Sequence, residues 1–210
     1  MDEDATNIFS SEENLSEHTI RKLKDKLNWK LVCRYSKLSE KFLEEMIDYV
    51  EFEQITKFQT LSEYFIDKYE IHFDWDLVSR YQKISEDFII KHMDKVNWVL
   101  ISQYQELSNE FILKYHERLD LRKVSIFQKL SEDTMTELKD HLNWLHIARY
   151  QNFSRKFLEK FIYLLDFCNL IKYKFELLSE EFIEENWKKI IPIQLAEMNS
   201  KFGHYLQEDP

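Results

Sequence analysis

The residues of this chain best suited to bind a metal or attack a substrate are seven histidines and two cysteines, and their spacing supports neither role. His18, His72, His92, His116, His141, His146 and His204 are scattered, with no HExxH or CxxC pattern among them. A phosphate-cradling glycine loop and a GxSxG elbow are both missing from a chain that holds a single Gly. The sequence therefore predicts no catalytic residue, no metal ligand and no cofactor, and the chain is not read as an enzyme. An active site would need convergent polar residues that break the pattern described next, and none is visible along the sequence.

What recurs is serine. Ser16, Ser39, Ser62, Ser85, Ser108, Ser131 and Ser154 return every 23 residues, and Ser179 follows after a two-residue slip. Taking Ser as position 2, repeats start at Leu15, Leu38, Leu61, Ile84, Leu107, Leu130, Phe153 and Leu178. Several columns of this register carry chemistry. Position 15 holds Trp29, Phe52, Trp75, Trp98, Leu121, Trp144 and Phe167, a conceivable stacking platform for bases. Because Leu and Phe fill the same slot at helical spacing, a core seam is the expected role. Position 22 holds Gln59, Gln82, Gln105, Gln128 and Gln151, which suits a ladder of amide hydrogen bonds to the turn between repeats. Position 20 carries Arg34, Lys57, Arg80, Arg149 and Lys172, a basic ridge open to an acidic peptide or a phosphate. Glu53–Lys57 and Asp76–Arg80 pairs at i,i+4 favour a solvated face instead. His92 falls at position 9, among Leu, Met, Tyr and Phe in other repeats, and reads as a core or groove-lining histidine.

These columns need elements to hold them. Apolar positions 1, 5, 6, 9 and 13, then 15, 18, 19 and 21, follow a helical period, so each repeat reads as two short helices. The Ser precedes an acidic residue in six repeats, as an N-cap before a carboxylate at the positive helix end does. Asn28, Asp74, Asn97, Asp120, Asn143 and Asp166 at position 14 are expected to cap the second helix. Helices shorter than roughly 12 residues persist only by packing on neighbours. The predicted fold is all-α: an α-solenoid of about eight stacked two-helix 23-residue repeats. Residues 1–14 read as an acidic segment that is flexible or a partial cap, with Ile8 and Phe9 placed to cover the first repeat. Residues 15–190 read as one repeat array and 191–210 as a C-terminal cap and tail.

Charge and targeting narrow the setting. The net charge is −10, but Asp2, Glu3, Asp4, Glu12, Glu13, Glu208 and Asp209 supply seven negatives, leaving about −3 on the array. A dedicated nucleic-acid groove needs a net basic stripe, so nucleic acid is an unfavoured partner. The MDEDATN start has the wrong charge for a signal peptide, and 161–171, the longest apolar-looking segment, is too short to span a bilayer. Cys33 and Cys168 lie six repeats apart, on the order of 50 Å in such a stack, beyond the reach of a disulfide. Reduced thiols fit an intracellular protein.

The strings LSEYFIDKYEIHFDWDLVSRYQK (61–83) and ISEDFIIKHMDKVNWVLISQYQE (84–106) resemble a short repeat of uncharacterised giant DNA virus proteins, Marseillevirus-like viruses included. The resemblance covers nearly all of 15–190 and implies a viral protein acting in the cytoplasm of a host cell, with nucleus and virion left open. It implies no activity or ligand, and the last repeat departs from it at Ile191 and Pro192. The expected function is protein binding or scaffolding, the alternative being a nucleic-acid-binding solenoid that uses the position 20 ridge. Ile90 and Leu113 at position 7, Val99 and Leu145 at position 16 and Ile126 at position 20 are apolar where most repeats are polar. Projected opposite the core, these five are the candidate interface for an unknown protein partner or for homo-oligomers through the middle repeats.

Overall fold

The structure, a computed structural model, describes Thr6, Ser10, residues 15–179, Phe182 and Ile183. The expectations for Ile8 and Phe9, for most of 1–14 and for the cap at 191–210 lie outside the described residues. Among the described residues the protein is an all-helical α-solenoid without strands. It falls into two compact units, Met1–Leu107 and Ser108–Pro210.

The first unit stacks four helix pairs: α1 (Glu17–Leu23) with α2 (Trp29–Tyr35), α3 (Glu40–Glu45) with α4 (Phe52–Phe58), α5 (Glu63–Lys68) with α6 (Trp75–Tyr81), and α7 (Glu86–Lys91) with α8 (Trp98–Tyr104). The second stacks α9 (Asn109–Tyr115) with α10 (Leu121–Phe127), α11 (Glu132–Glu137) with α12 (Trp144–Tyr150), and α13 (Arg155–Phe161) with α14 (Phe167–Tyr173). Every first helix starts as the sequence predicts. The Ser hydroxyl accepts from the backbone N–H three residues on, at 3.1–3.3 Å, from Ser16 through Ser154. Second helices are capped by the side chains of Asp74, Asn97, Asp120, Asn143 and Asp166. Asn28 departs from the expectation, since its side chain makes no cap bond; its backbone N–H donates to Ser10 Oγ at 3.0 Å instead.

Helices of six or seven residues are held by what they bury. The driest residues form two columns. Ile20, Leu43, Ile66 and Ile89 at position 6 face Val32, Ile55, Val78 and Ile101 at position 18 in the first unit, all at 0% exposure. Ile112, Met135 and Leu158 with Val124, Ile147 and Leu170 do the same in the second unit. Each such side chain contributes about 1.5–3 kcal/mol. The Trp column lies at the margin of this core rather than at its centre. Trp29 and Trp144 are buried, Trp75 and Trp98 only half-buried. Their apolar faces fill the seam, while the indole N–H needs a polar partner. Trp29, Trp98 and Trp144 donate to the carbonyls of Lys24, Met93 and Lys139 at 2.7–2.9 Å.

Second helices form the spine of each stack, α2 on α4, α4 on α6 and α6 on α8 in one unit, α10 on α12 and α12 on α14 in the other. The glutamine column stitches them. Gln82 Nε2 donates to the carbonyls of Thr56 (2.6 Å) and Gln59 (2.9 Å), and its Oε1 accepts from Leu61 N–H at 3.0 Å. Gln59, Gln105 and Gln151 repeat this three-bond pattern. Each amide therefore satisfies two carbonyls at a helix end left open by the short helix. Position 19, expected to be part of the apolar set, is instead a buried small polar column. Thr56, Ser79, Ser102 and Ser125 donate to the carbonyl four residues back. Ser79 and Ser125 also accept the N–H of Asn97 and Asn143 from the next repeat. Their small size lets adjacent second helices approach, and the hydroxyl satisfies the first free N–H of the neighbour.

On the first helices, position 3 serves two repeats at once. Glu17 accepts from Ser39 N–H (2.7 Å), Glu40 from Ser62 N–H, Glu63 from Ser85 N–H (2.5 Å) and Glu132 from Ser154 N–H (2.5 Å). These four carboxylates thus sit near their own helix N-termini and bond the following Ser backbone.

Candidate functional site

The ends of the second helices carry the most distinctive surface. Position 21 places Tyr35, Phe58, Tyr81 and Tyr104 on four consecutive rungs of the first unit, 39–46% exposed. Phe127 and Tyr150 do the same in the second unit. Position 20 arginines lie between these rings. Arg34 packs over Tyr35 (5.1 Å) and Phe58 (4.8 Å), Arg80 over Tyr81 and Tyr104 (both 5.1 Å), and Arg149 over Tyr150 and Tyr173 (both 5.0 Å). Within each unit, every one of these guanidiniums spans two neighbouring rungs. None of the three forms an ion pair with a described carboxylate.

The position 20 ridge is therefore not the simple solvated face that i,i+4 pairing implies. Lys57 does pair with Glu53 at 2.5 Å. The expected Asp76–Arg80 pair is absent, because Asp76 Oδ1 accepts from Asn97 Nδ2 (2.9 Å) while Arg80 lies between two rings. Lys172 lies over Tyr173 at 5.2 Å. Shallow grooves run between rungs along this edge, one lined by Arg34, Tyr35, Phe58 and Gln59, another by Arg80, Tyr81, Tyr104 and Gln105. Their floor is the glutamine ladder.

The five candidate interface residues divide differently. Val99 on α8 and Leu145 on α12 are open, at 47% and 51% exposure. Ile90 on α7, Leu113 on α9 and Ile126 on α10 are half-buried. The projection that set position 7 opposite the core ignores the neighbouring rung. In the first repeats, position 7 bonds to position 8 of the next repeat: Arg21 to Glu45 through two 2.6 Å contacts, Glu44 to Lys68 at 2.9 Å, Asp67 to Lys91 at 2.7 Å. The Arg21 guanidinium holds the Glu45 carboxyl below its ordinary range, and Lys91 does the same to Asp67. Ile90 and Leu113 hold the same position 7 and are half-buried rather than exposed. Ile126 lines a groove with Tyr150 and Gln151.

One convergence of polar residues does exist, contrary to the expectation of none. His92, buried at 6% exposure as its column predicts, places its imidazole Nε2 at 3.0 Å from Asp67 Oδ1 of the preceding repeat. Among the described residues no helix is long and apolar enough to cross a membrane. Comparison with family models, with curated proteins and with solved structures finds no match to this chain.

Proposed function

We propose that this is a protein-binding or scaffolding repeat protein, with the arginine–aromatic edge of the second helices as its binding surface. The observation that carries the reading is the pair Arg34 and Arg80. Each is clamped between exposed rings of two rungs of the first unit and forms no ion pair with a carboxylate among the described residues. A guanidinium stacked in this way has lost its rotamer freedom in advance but keeps edge N–H donors for an incoming acceptor. Tyr and Arg are also the residues that dominate interface energetics, because they bring large contact area at small entropic cost. The donor set suits a partner segment rich in carboxylates. A viral protein acting inside a host cell is part of the proposal on the strength of the repeat resemblance alone. The same free arginines favour one second reading, a nucleic-acid-binding solenoid. Two features weigh against it: Lys57 is spent on Glu53, and the arginines occupy the ring faces on which bases would stack.

The test is a quantitative pull-down from host-cell lysate with wild type and the double variant Arg34→Ala/Arg80→Ala, melting temperature checked for both. Loss of a specific protein with the fold retained supports the ridge; full retention of every partner refutes it. Anisotropy with a labelled single-stranded oligonucleotide across a salt series separates the second reading, since phosphate binding weakens steeply with salt.

A further inference from the structure

Asp67, Glu70 and His92 each bring one potential ligand atom to a common point, all within 4.8 Å of one another. His92 and Glu70 sit where the other repeats offer something else, while position 7 of Asp67 is also acidic at Glu44 and Glu159. Position 9, held by His92, is Leu23, Met46, Tyr69, Tyr115, Leu138 and Phe161 in its neighbours, and only the third repeat has carboxylates at both positions 7 and 10. The His92 side chain is 5% exposed, and its ring lies 4.6 Å from Trp75 and 4.5 Å from Phe88. Nε2 is 3.0 Å from Asp67 Oδ1 and Nδ1 3.9 Å from Glu70 Oε2. A hydrophobic slot has been given up for an imidazole held by stacking between two carboxylates of the preceding rung.

We infer that Asp67, Glu70 and His92 form a binding site for a divalent transition-metal ion of borderline softness, with Zn(II) as its representative, joining the third and fourth repeats. One nitrogen and two oxygens match that class, whereas an imidazole at the centre disfavours Mg(II) and Ca(II), which take oxygen ligands. Bonds of about 2.0–2.2 Å around a tetrahedral ion put ligand atoms roughly 3.3–3.5 Å apart. The widest of these separations must therefore close by up to about 1.5 Å. The carboxylates are able to move in, since the Asp67 and Glu70 side chains are 36% and 38% exposed, while packing fixes the imidazole as the anchor. Charge is already arranged for this. Lys91 sits on Asp67 Oδ2 at 2.7 Å and leaves Oδ1 to the ion. Lys95 holds Glu70 Oε2 at 2.6 Å and has to yield, and its own side chain is 44% exposed, so that pair is a weak competitor. Solvent supplies the remaining coordination.

The experiment uses the full chain. Zn(II) titration by calorimetry, Co(II) titration by visible absorption and thermal melts with Zn(II) or Mg(II) are run on wild type, His92→Leu and Lys95→Ala. His92→Leu installs the residue that position 9 carries in the first and sixth repeats, so it keeps the fold. Wild type should bind one ion per chain and melt higher with Zn(II) but not with Mg(II). His92→Leu should weaken binding by more than the roughly 10- to 100-fold that loss of an outer-shell partner costs. Lys95→Ala should tighten it, because the competing ammonium on Glu70 is gone. Equal Zn(II) binding by wild type and His92→Leu means surface carboxylates alone are responsible and overturns the site. So does a wild type with no zinc-dependent stabilisation. Unchanged or weaker binding by Lys95→Ala removes Glu70 from the ligand set.

Discussion

Replacing Gln82 by Ala tests how the stack is held together. Gln82 is 3% exposed and makes three hydrogen bonds to backbone groups of the preceding repeat and of the loop leading from it. A typical net contribution of about 1 kcal/mol per bond gives about 3 kcal/mol. Leaving the Leu61 N–H in a dry seam adds to this, because an unsatisfied buried donor costs about 1–3 kcal/mol. The expected loss is about 4–6 kcal/mol, a large part of the roughly 5–15 kcal/mol of a whole domain. Gln59 makes the same three bonds but is half-buried, so water can replace them. Gln59→Ala should cost less than half as much. Urea unfolding followed by circular dichroism reads both. Gln82→Ala should also broaden the transition and lower the m-value, since a stack coupled only through neighbours comes apart when one coupling is removed. Equal costs for the two variants, or a Gln82→Ala loss within about 0.5 kcal/mol as for an ordinary surface change, would refute the stitching role.

Burial raises the Cys33 thiol to about 11, from an ordinary value of 9.0. Because the folded state resists ionisation, stability should fall as pH climbs from about 9 to 11. A thiol reagent at pH 8 should label exposed Cys168 at once and Cys33 only after denaturant is added. Removing the first-helix cap by Ser85→Ala should cost about 1 kcal/mol in the same urea assay, since its Oγ accepts the Phe88 N–H at 3.2 Å.

Local chemistry was legible because it repeats. A serine that accepts from the N–H three residues on, and Asp or Asn at position 14, are signals contained within one helix turn, and all but Asn28 behave as their type dictates. The glutamine ladder was legible for a similar reason: every repeat has the same open carbonyls, so one solution recurs. Position 19 was misread because Ser, Thr, Cys and Ala share a helical spacing with true apolar positions. The hydroxyl's role, an acceptor for the next repeat's N–H, depends on a neighbour that no window of one helix contains.

The functional surfaces were hidden by the way repeats are aligned. Columns compare residues 23 apart, yet the side chains that meet across rungs are offset from that value. Arg21 with Glu45 and Asp67 with Lys91 are 24 apart, and His92 with Asp67 is 25 apart. A column view therefore places His92 among Leu and Tyr and judges it a lone core histidine, while its partners sit in two other columns of the preceding repeat. The same offset bears on Ile90 and Leu113, which look like an outward patch on a single helix but hold the position that pairs one rung with the next in the first three repeats. It explains the ridge as well, since Arg80 is half of an intrahelical pair in sequence and a bridge between Tyr81 and Tyr104 in space. In a stack whose rungs are displaced by a residue or two, chemistry is legible on the diagonals between columns, and those diagonals become known only once the packing of second helix on second helix has fixed the displacement.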